Sequence, residues 1–449
     1  MNESDFHTIT DRLVDIVKAA IHLQYADLQT SISKSVFDAV VKLTTLRELR
    51  ILADYPNYQE PFLNHLAVLN SPLRSLYLSG VDFSETYIPA SFLHDRLSHL
   101  APTLEFLDLD DFRIDIFPSS VTTQFTAVRS LKLQATFAPD CDLLSVLVRL
   151  FPRLDNTLEL GSLYDSVRGD DVPAFRERCQ EAQQRHCWSR LNRLACHADT
   201  AYLLALRCPI RRMDIQAHLP GATQYFTETL RYYYSTHLNA WISLYRGFGA
   251  LDGLFPPEVA DRLTHLVLFV EVGVHHGCRS RRRNCNVIRS NRIVNRLLGA
   301  VKHLRLTHLH IVFYYSVYLP VRNTAPDADS VAHNPSGDSM DLQVIRARFV
   351  GAMPTLRYLF LTTCGQTRAG PPRWEFSNEI FSKWFASKAW HVVHDVEDLH
   401  LSESESDVGM GSCVELSGEA VERIREREDL QLSRDEEYEV RLCADSMGS

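Results

Sequence analysis

Read as apolar and polar positions, the chain repeats one short phrase. In SPLRSLYLSG, Ser71 to Gly80, the apolar residues Leu73, Leu76 and Leu78 follow a proline at the spacing L-x-x-L-x-L. The spacing recurs at Leu46/Leu49/Ile51, Leu104/Leu107/Leu109, Val128/Leu131/Leu133, Leu191/Leu194/Cys196 and Ile210/Met213/Ile215, and, one residue longer, at Leu154 with Leu158/Leu160. It continues at Leu263/Leu266/Leu268, Leu306/Leu309/Ile311, Leu356/Leu359/Leu361 and Val396/Leu399/Leu401, with a degenerate copy in LNAWISL, 238–244. The central residues of the early copies stand 27, 31, 24 and 27 apart, and later gaps range from 19 to 53. The last two apolar positions alternate with polar ones, as a strand with one buried face requires. Between the phrases lie helical periods, such as Leu143/Leu144, Leu147/Val148 and Phe151. Pro72, Pro102, Pro152, Pro209 and Pro354 stand one or two residues before a predicted strand, where proline ends a helix and favours extended chain.

Strand, loop, helix, proline, strand is the unit of a leucine-rich repeat. One unit cannot bury its own apolar face, so the units must stack. The predicted fold class is α/β, a leucine-rich-repeat solenoid with a curved parallel sheet on the concave side and helices on the convex side. A doubly wound α/β sheet also alternates strand and helix, but it has no reason to repeat this spacing eleven times. The expected organisation is an N-terminal helical cap over 1–43 and a repeat array over 44–401. Insertions are expected near 271–285 and 320–341, and an acidic C-terminal tail over 402–449. The cap reads as two amphipathic helices, with Leu13, Val17 and Ala20, then Val36, Phe37, Val40 and Leu43, facing inward.

Charge changes this picture more through its distribution than through its net value of −9. Residues 395–440 hold 16 acidic and 4 basic residues, whereas 272–326 hold ten Lys or Arg and no Asp or Glu. No run of apolar residues is long enough to span a bilayer, and the N-terminus does not read as a signal peptide. The ten scattered cysteines, without a C-x-x-C pair, suit reduced thiols in a cytoplasmic or nuclear setting.

Residues flanking the middle leucine of each phrase should point out of the concave face. This assigns Ser75, Tyr77, Phe106, Asp108, Ser130, Lys132, Arg212 and Asp214 to a protein-binding surface. His265, His308, His310, Tyr358, Phe360, Asp398 and His400 continue it. Aromatics beside charges are the usual composition of a protein-recognition patch. His265, His308 and His310 raise the alternatives of a zinc site or an acid sensor, but no cysteine stands in register, and a polar surface is the preferred reading. No metal, cofactor or catalytic set is therefore assigned. Arg279, Arg281, Arg282 and Arg283 form a basic patch that reads first as a solvated loop and otherwise suits an acidic protein or the chain's own tail. The patch lacks the interleaved aromatics of a single-strand nucleic-acid site, so nucleic acid is not the expected partner. Ser402, Ser404 and Ser406 lie among acids, where phosphorylation would deepen the negative charge. The aromatic group Tyr225, Phe226, Tyr232, Tyr233 and Tyr234 is spaced for helix packing. No P-loop, G-x-G-x-x-G, G-x-S-x-G or H-E-x-x-H occurs.

Irregular repeats of the HLAPTLEFLDL type, together with the closing VELSGEAVERIREREDL, resemble the leucine-rich-repeat region of fungal F-box-like proteins. The resemblance covers most of 40–430. It implies a substrate-recognition subunit of a cullin-type ubiquitin ligase, docked through an F-box on a Skp-type adaptor. Residues 1–43 contain no Leu-Pro-x-Glu opening of such a box. LFPPEVADRL, 254–263, imitates one but runs directly into a strand of the array. The alternative is a stand-alone interaction scaffold, with a protein partner in either case, and an enzyme is the distant third reading.

Overall fold

A computed structural model describes residues 3–29, 33–53, 65–80, 87–89, 91–110, 113–115, 123–133, 143–163, 167, 171–218, 221–245, 247–275, 290–319, 340–369, 380–393 and 412–426. Among these residues the protein is mixed α/β, with a fourteen-stranded, mostly parallel sheet and ten α-helices. Two compact units divide the chain, Met1–Asp214 and Ile215–Ser449.

In the first unit, parallel strands β1 (Tyr25–Gln29), β2 (Glu48–Ala53), β3 (Ser75–Gly80), β5 (Phe106–Asp110), β7 (Ser130–Leu133), β8 (Thr157–Leu160) and β9 (Leu191–His197) follow one another in the sheet. Short strands β4 (Tyr87–Pro89) and β6 (Arg113–Asp115) pair separately. Each phrase of the sequence supplies one strand of the main sheet. Their apolar positions fall into register as two ladders, Leu49–Leu76–Leu107–Leu131–Leu158–Leu194 and Leu28–Ile51–Leu78–Leu109–Leu133–Leu160. Both ladders are buried, and each leucine contributes roughly 2 kcal/mol by leaving water. The entry to each strand is fixed by a shared acceptor. The Arg47 carbonyl takes the amides of Arg74 and Ser75, and the Arg74 carbonyl takes those of Glu105 and Phe106. Helix α4 (Leu143–Leu150) packs Leu143, Leu144, Leu147 and Val148 inward and stops before Pro152, as its period predicts.

The cap differs from expectation. Helices α1 (Glu3–Ala19) and α2 (Lys34–Val40) are present, and α2 buries Val36, Phe37 and Val40. Between them β1 adds a strand ahead of the first recognised phrase, pairing Leu28 with Ile51. On α1, Val17 is buried but Leu13 is exposed, along with Ile9 and Ile16. The inward face therefore runs through Val17 and not through Leu13.

In the second unit, β11 (His237–Ser243), β12 (His265–His275), β13 (His308–Leu319) and β14 (Tyr358–Ala369) are parallel. Their ladders are Leu238–Leu266–Leu309–Leu359 and Ala240–Leu268–Ile311–Leu361. These strands run up to twelve residues, well past the six-residue phrase. Strand β15 (Ile380–Val393) then pairs antiparallel with β14, and β16 (Ser412–Glu415) antiparallel with β15. The strand expected at 396–401 and both predicted insertions lie wholly or mainly outside the described residues. Within the stretch read as an acidic tail, β16 leads into α10 (Gly418–Glu426), which buries Ala420, Val421 and Ile424. Strand β10 (Ile210–Ala217) contains the division between the units. No helix among the described residues is long and apolar enough to cross a membrane.

Candidate functional site

The sheet face opposite the leucine ladders carries the predicted recognition residues. In the first unit its middle row reads Asp27, Arg50, Tyr77, Asp108, Lys132, Glu159 in lateral register. The charges alternate in sign, and neighbours pair. Arg50 lies 3.9 Å from Asp27, and the Lys132 ammonium lies 3.5 Å from Asp108, 3.9 Å from Glu159 and 4.0 Å from Asp110. Burial pushes the Asp108 carboxyl up to about 6, with Lys132 opposing it. Burial acts against the Lys132 charge, but the three carboxylates outweigh it and raise its pKa. One ammonium shared among three acids is held charged, while each acid receives only part of the benefit. Tyr77 and Phe106, assigned from sequence, stack with ring centroids 4.7 Å apart, and the Arg50 guanidinium sits 5.0 Å over Tyr77. Arg212 and Asp214 are brought together at 2.9 Å, and Arg193, which the motif did not single out, joins them on Asp214.

In the second unit the first row is a column of rings, His237, His265, His308, Tyr358 and His391. The imidazoles stack at 4.0 and 4.1 Å, and His308 stacks on Tyr358 at 4.9 Å. A Thr-His pair repeats at the head of three strands. The hydroxyls of Thr236, Thr264 and Thr307 each lie 2.8 Å from Nδ1 of the following histidine. Thr264 and Thr307 donate their single proton to the carbonyls of Thr236 and Thr264. The Nδ1–H of His265 and His308 must then donate to the threonine oxygen, which fixes that tautomer. His308 is buried, and burial, with help from His265 and Arg357, lowers its pKa to about 3.

This arrangement corrects part of the sequence assignment. His308, Tyr358 and Phe360 do not lie open for a partner. Tyr358 and Phe360 pack with Ala389, Leu416, Ala420, Val421 and Ile424, beneath the strand and helix that follow residue 411. The acidic stretch holds an apolar i, i+1, i+4 set in its helix, and that set needed a surface to cover. His265 is half-buried, and His310 remains partly accessible with Nε2 3.1 Å from the Thr362 hydroxyl. Among the described residues, no group of three or more His, Cys, Asp or Glu is placed to hold a metal ion. His400, Asp398, Arg279, Arg281, Arg282, Arg283, Ser402, Ser404 and Ser406 lie outside the described residues.

A second group was missed by the motif. Alternation continues past the phrase in HLVLFVEVGVH, with Leu266, Leu268, Val270 and Val272 buried, so Phe269, Glu271 and Gly273 share the other face. Trp241 meets Phe269 edge-on at 5.0 Å, and Phe269 lies 5.5 Å from Tyr314. Trp241 and Tyr245 are exposed at 36% and 41%, so the aromatic group is open to solvent. Gln366 donates to the Tyr314 hydroxyl at 2.5 Å. Burial raises the pKa of the Glu271 carboxyl, and the neighbouring side chains of Tyr245, Trp241 and Ser243 oppose that shift. The signal was an alternation carried beyond three apolar positions.

No protein-family model matches the chain, and no curated protein is significantly similar to it in sequence. Function has to be read from these two faces.

Proposed function

We propose that the chain is a protein-recognition module built as a leucine-rich-repeat array. The observation that carries this reading is the shared face of Arg50, Tyr77, Phe106, Asp108 and Lys132, with half-buried aromatic rings beside paired charges. The leucines behind it are held by the core, so the face residues are free to differ from strand to strand. Variation of that kind is how such a surface selects a partner. The test is affinity capture by the full chain from its native cells, compared with a Tyr77→Ala, Phe106→Ala variant. The expected result is a protein enriched by the parent chain and lost with the variant. Equal recovery with both sinks the assignment of this face.

The resemblance to F-box-like proteins gives the module a specific role, substrate recognition for a cullin-type ubiquitin ligase. One observation favours it over a stand-alone scaffold. Helix α1 exposes Ile9, Leu13 and Ile16 at i, i+4 and i+7, an apolar stripe on one helix face. Such a stripe is suited to docking on a Skp-type adaptor. Ile9→Asp with Ile16→Asp should remove adaptor and cullin from the captured proteins while the Tyr77-dependent partner stays. If adaptor and cullin are absent from the parent capture as well, the ligase role fails and the scaffold remains.

A further inference from the structure

Glu271 is half-buried, and the polar side chains that favour its charge are neutral: Tyr245, Trp241 and Ser243. In register with it, β11 places Ser243 and β13 places Tyr314. With Trp241 and Tyr245, these are the groups that face it among the described residues, and all are uncharged at pH 7. No ion pair involving Glu271 occurs among the described residues. A carboxylate partly removed from water without a counter-charge is costly, and a protein keeps one where something compensates it.

The surroundings favour one kind of compensation. Trp241 and Tyr245 are exposed next to the carboxylate, and Phe269 and Tyr314 extend the ring surface across two further strands. A cation over these rings gains from the negative ring faces and from Glu271 together. An anion would be repelled, and a neutral apolar chain would leave the carboxylate uncompensated. The backbone has been cleared for this arrangement at Gly273. A Cβ there would lie 1.8 Å from the Tyr245 ring, so the absent side chain is the notch in which that ring rests beside Glu271.

We propose that Glu271, flanked by Trp241, Tyr245, Phe269 and Tyr314, binds a cationic side chain, an arginine or lysine projecting from an extended segment of a partner protein. The site rests on the recognition reading above and names the chemistry of the partner.

The test uses the full chain and nine-residue glycine-serine peptides that differ only at a central Arg, Lys, Gln or Glu, titrated by fluorescence anisotropy. The Arg or Lys peptide should bind at least about tenfold more tightly than the Gln peptide. Glu271→Gln, which keeps the shape, should erase that difference, and Trp241→Ala should reduce it. The parent chain should also lose the preference as pH falls and Glu271 takes up a proton, a readout that needs no variant. Equal binding of Arg and Gln peptides overturns the site. So does an unchanged preference in a Glu271→Gln chain whose thermal unfolding matches the parent. The two proposals fail separately. A chain that discriminates Arg from Gln but enriches no protein from cells keeps the site and loses the recognition module. A chain whose cellular partner is captured equally well by Glu271→Gln keeps the module and loses the site.

Discussion

Gly273 and Gly365 both sit where a Cβ would collide, but with different neighbours. At Gly365 the added carbon would meet Trp384 and the backbone oxygen of Tyr315, each at 2.4 Å. A backbone oxygen held in a sheet cannot step aside, so Gly365→Ala should cost about 3 kcal/mol or more. At Gly273 the three nearest atoms all belong to the Tyr245 ring, which is exposed enough to swing out. Gly273→Ala should then cost about 1 kcal/mol and show its main effect as loss of the Tyr245 contact to Glu271. Urea unfolding of the two variants should separate them by this difference. Comparable costs would mean that Tyr245 is not free to move. Asp108 makes a second residue-level prediction. Its folded pKa of about 6 lies above the ordinary 3.8, so the unfolded chain ionises first as pH rises. Stability from the neutral form is full below about 3.8 and is lost as pH rises through 6. Asp108→Asn should therefore stabilise the protein at pH 7.5 by about 1 to 2 kcal/mol, because Lys132 keeps Asp110 and Glu159. The gain should vanish near pH 4. A destabilised variant at pH 7.5 would mean that the Lys132 pairing is worth more than the burial costs.

Among the elements, α10 carries the most direct test. Ile424 is fully buried in the cluster with Tyr358 and Phe360, and Ile424→Ala should cost about 2 to 4 kcal/mol of local stability. Ile424→Asp should release the helix altogether. Hydrogen exchange would then show faster amides in 418–424 and newly accessible Tyr358 and Phe360, with the strands of the first unit unaffected. Retained protection of α10 in the aspartate variant would refute its role as the cover. The elements also show what the sequence made legible. Ten phrases and the degenerate copy at 238–244 became strands of the main sheet, because apolar positions at a near-constant spacing satisfy one buried ladder. Strand β1 escaped notice because Leu23/Ala26/Leu28 keeps the spacing of the phrase but puts an alanine at its middle apolar position. Strand β15 escaped because it pairs antiparallel, and its inward Trp384 and Trp390 are separated by Ala386 and Lys388 rather than by leucines. The site was half legible. Tyr77 with Phe106 and Asp108 with Lys132 came from the motif, but Phe269 and Glu271 stand where β12 outruns it, and Trp241 sits in the degenerate copy at 238–244. The burial of Tyr358 and Phe360 depended on a helix about sixty residues further along, which no local pattern announces.

At the scale of the whole chain, the two units should respond to acid in opposite directions. In the first, burial raises the carboxyl pKa values of Asp108 and Asp199, so mild acid relieves a penalty that outweighs the opposing pull of His99, lowered by burial, and Asp155, lowered by Arg129. In the second, His308 is a base whose folded pKa is lowered from 6.5 to about 3. The unfolded chain takes a proton below 6.5 that the folded one refuses, so stability is full above that value and falls as pH drops towards 3. By pH 4.5 the loss should be about 3 kcal/mol, with the raised carboxyl of Glu271 offsetting part of it. Hydrogen exchange at pH 7 and 4.5, corrected for intrinsic rates, should show β12 to β14 losing protection while β3 to β7 hold or gain it. His308→Phe isolates the cause. Tyr358 already occupies the next position in the same column, so a phenyl ring fits the stacking and carries no titratable nitrogen. That variant should keep the second unit's protection at pH 4.5. If acid loosens both units alike, or loosens the second unit as much in His308→Phe, then the buried imidazole is not what limits the protein in acid. If the variant holds, the histidine column makes one half of the chain selectively sensitive to acid, in a pH range where the other half becomes more stable.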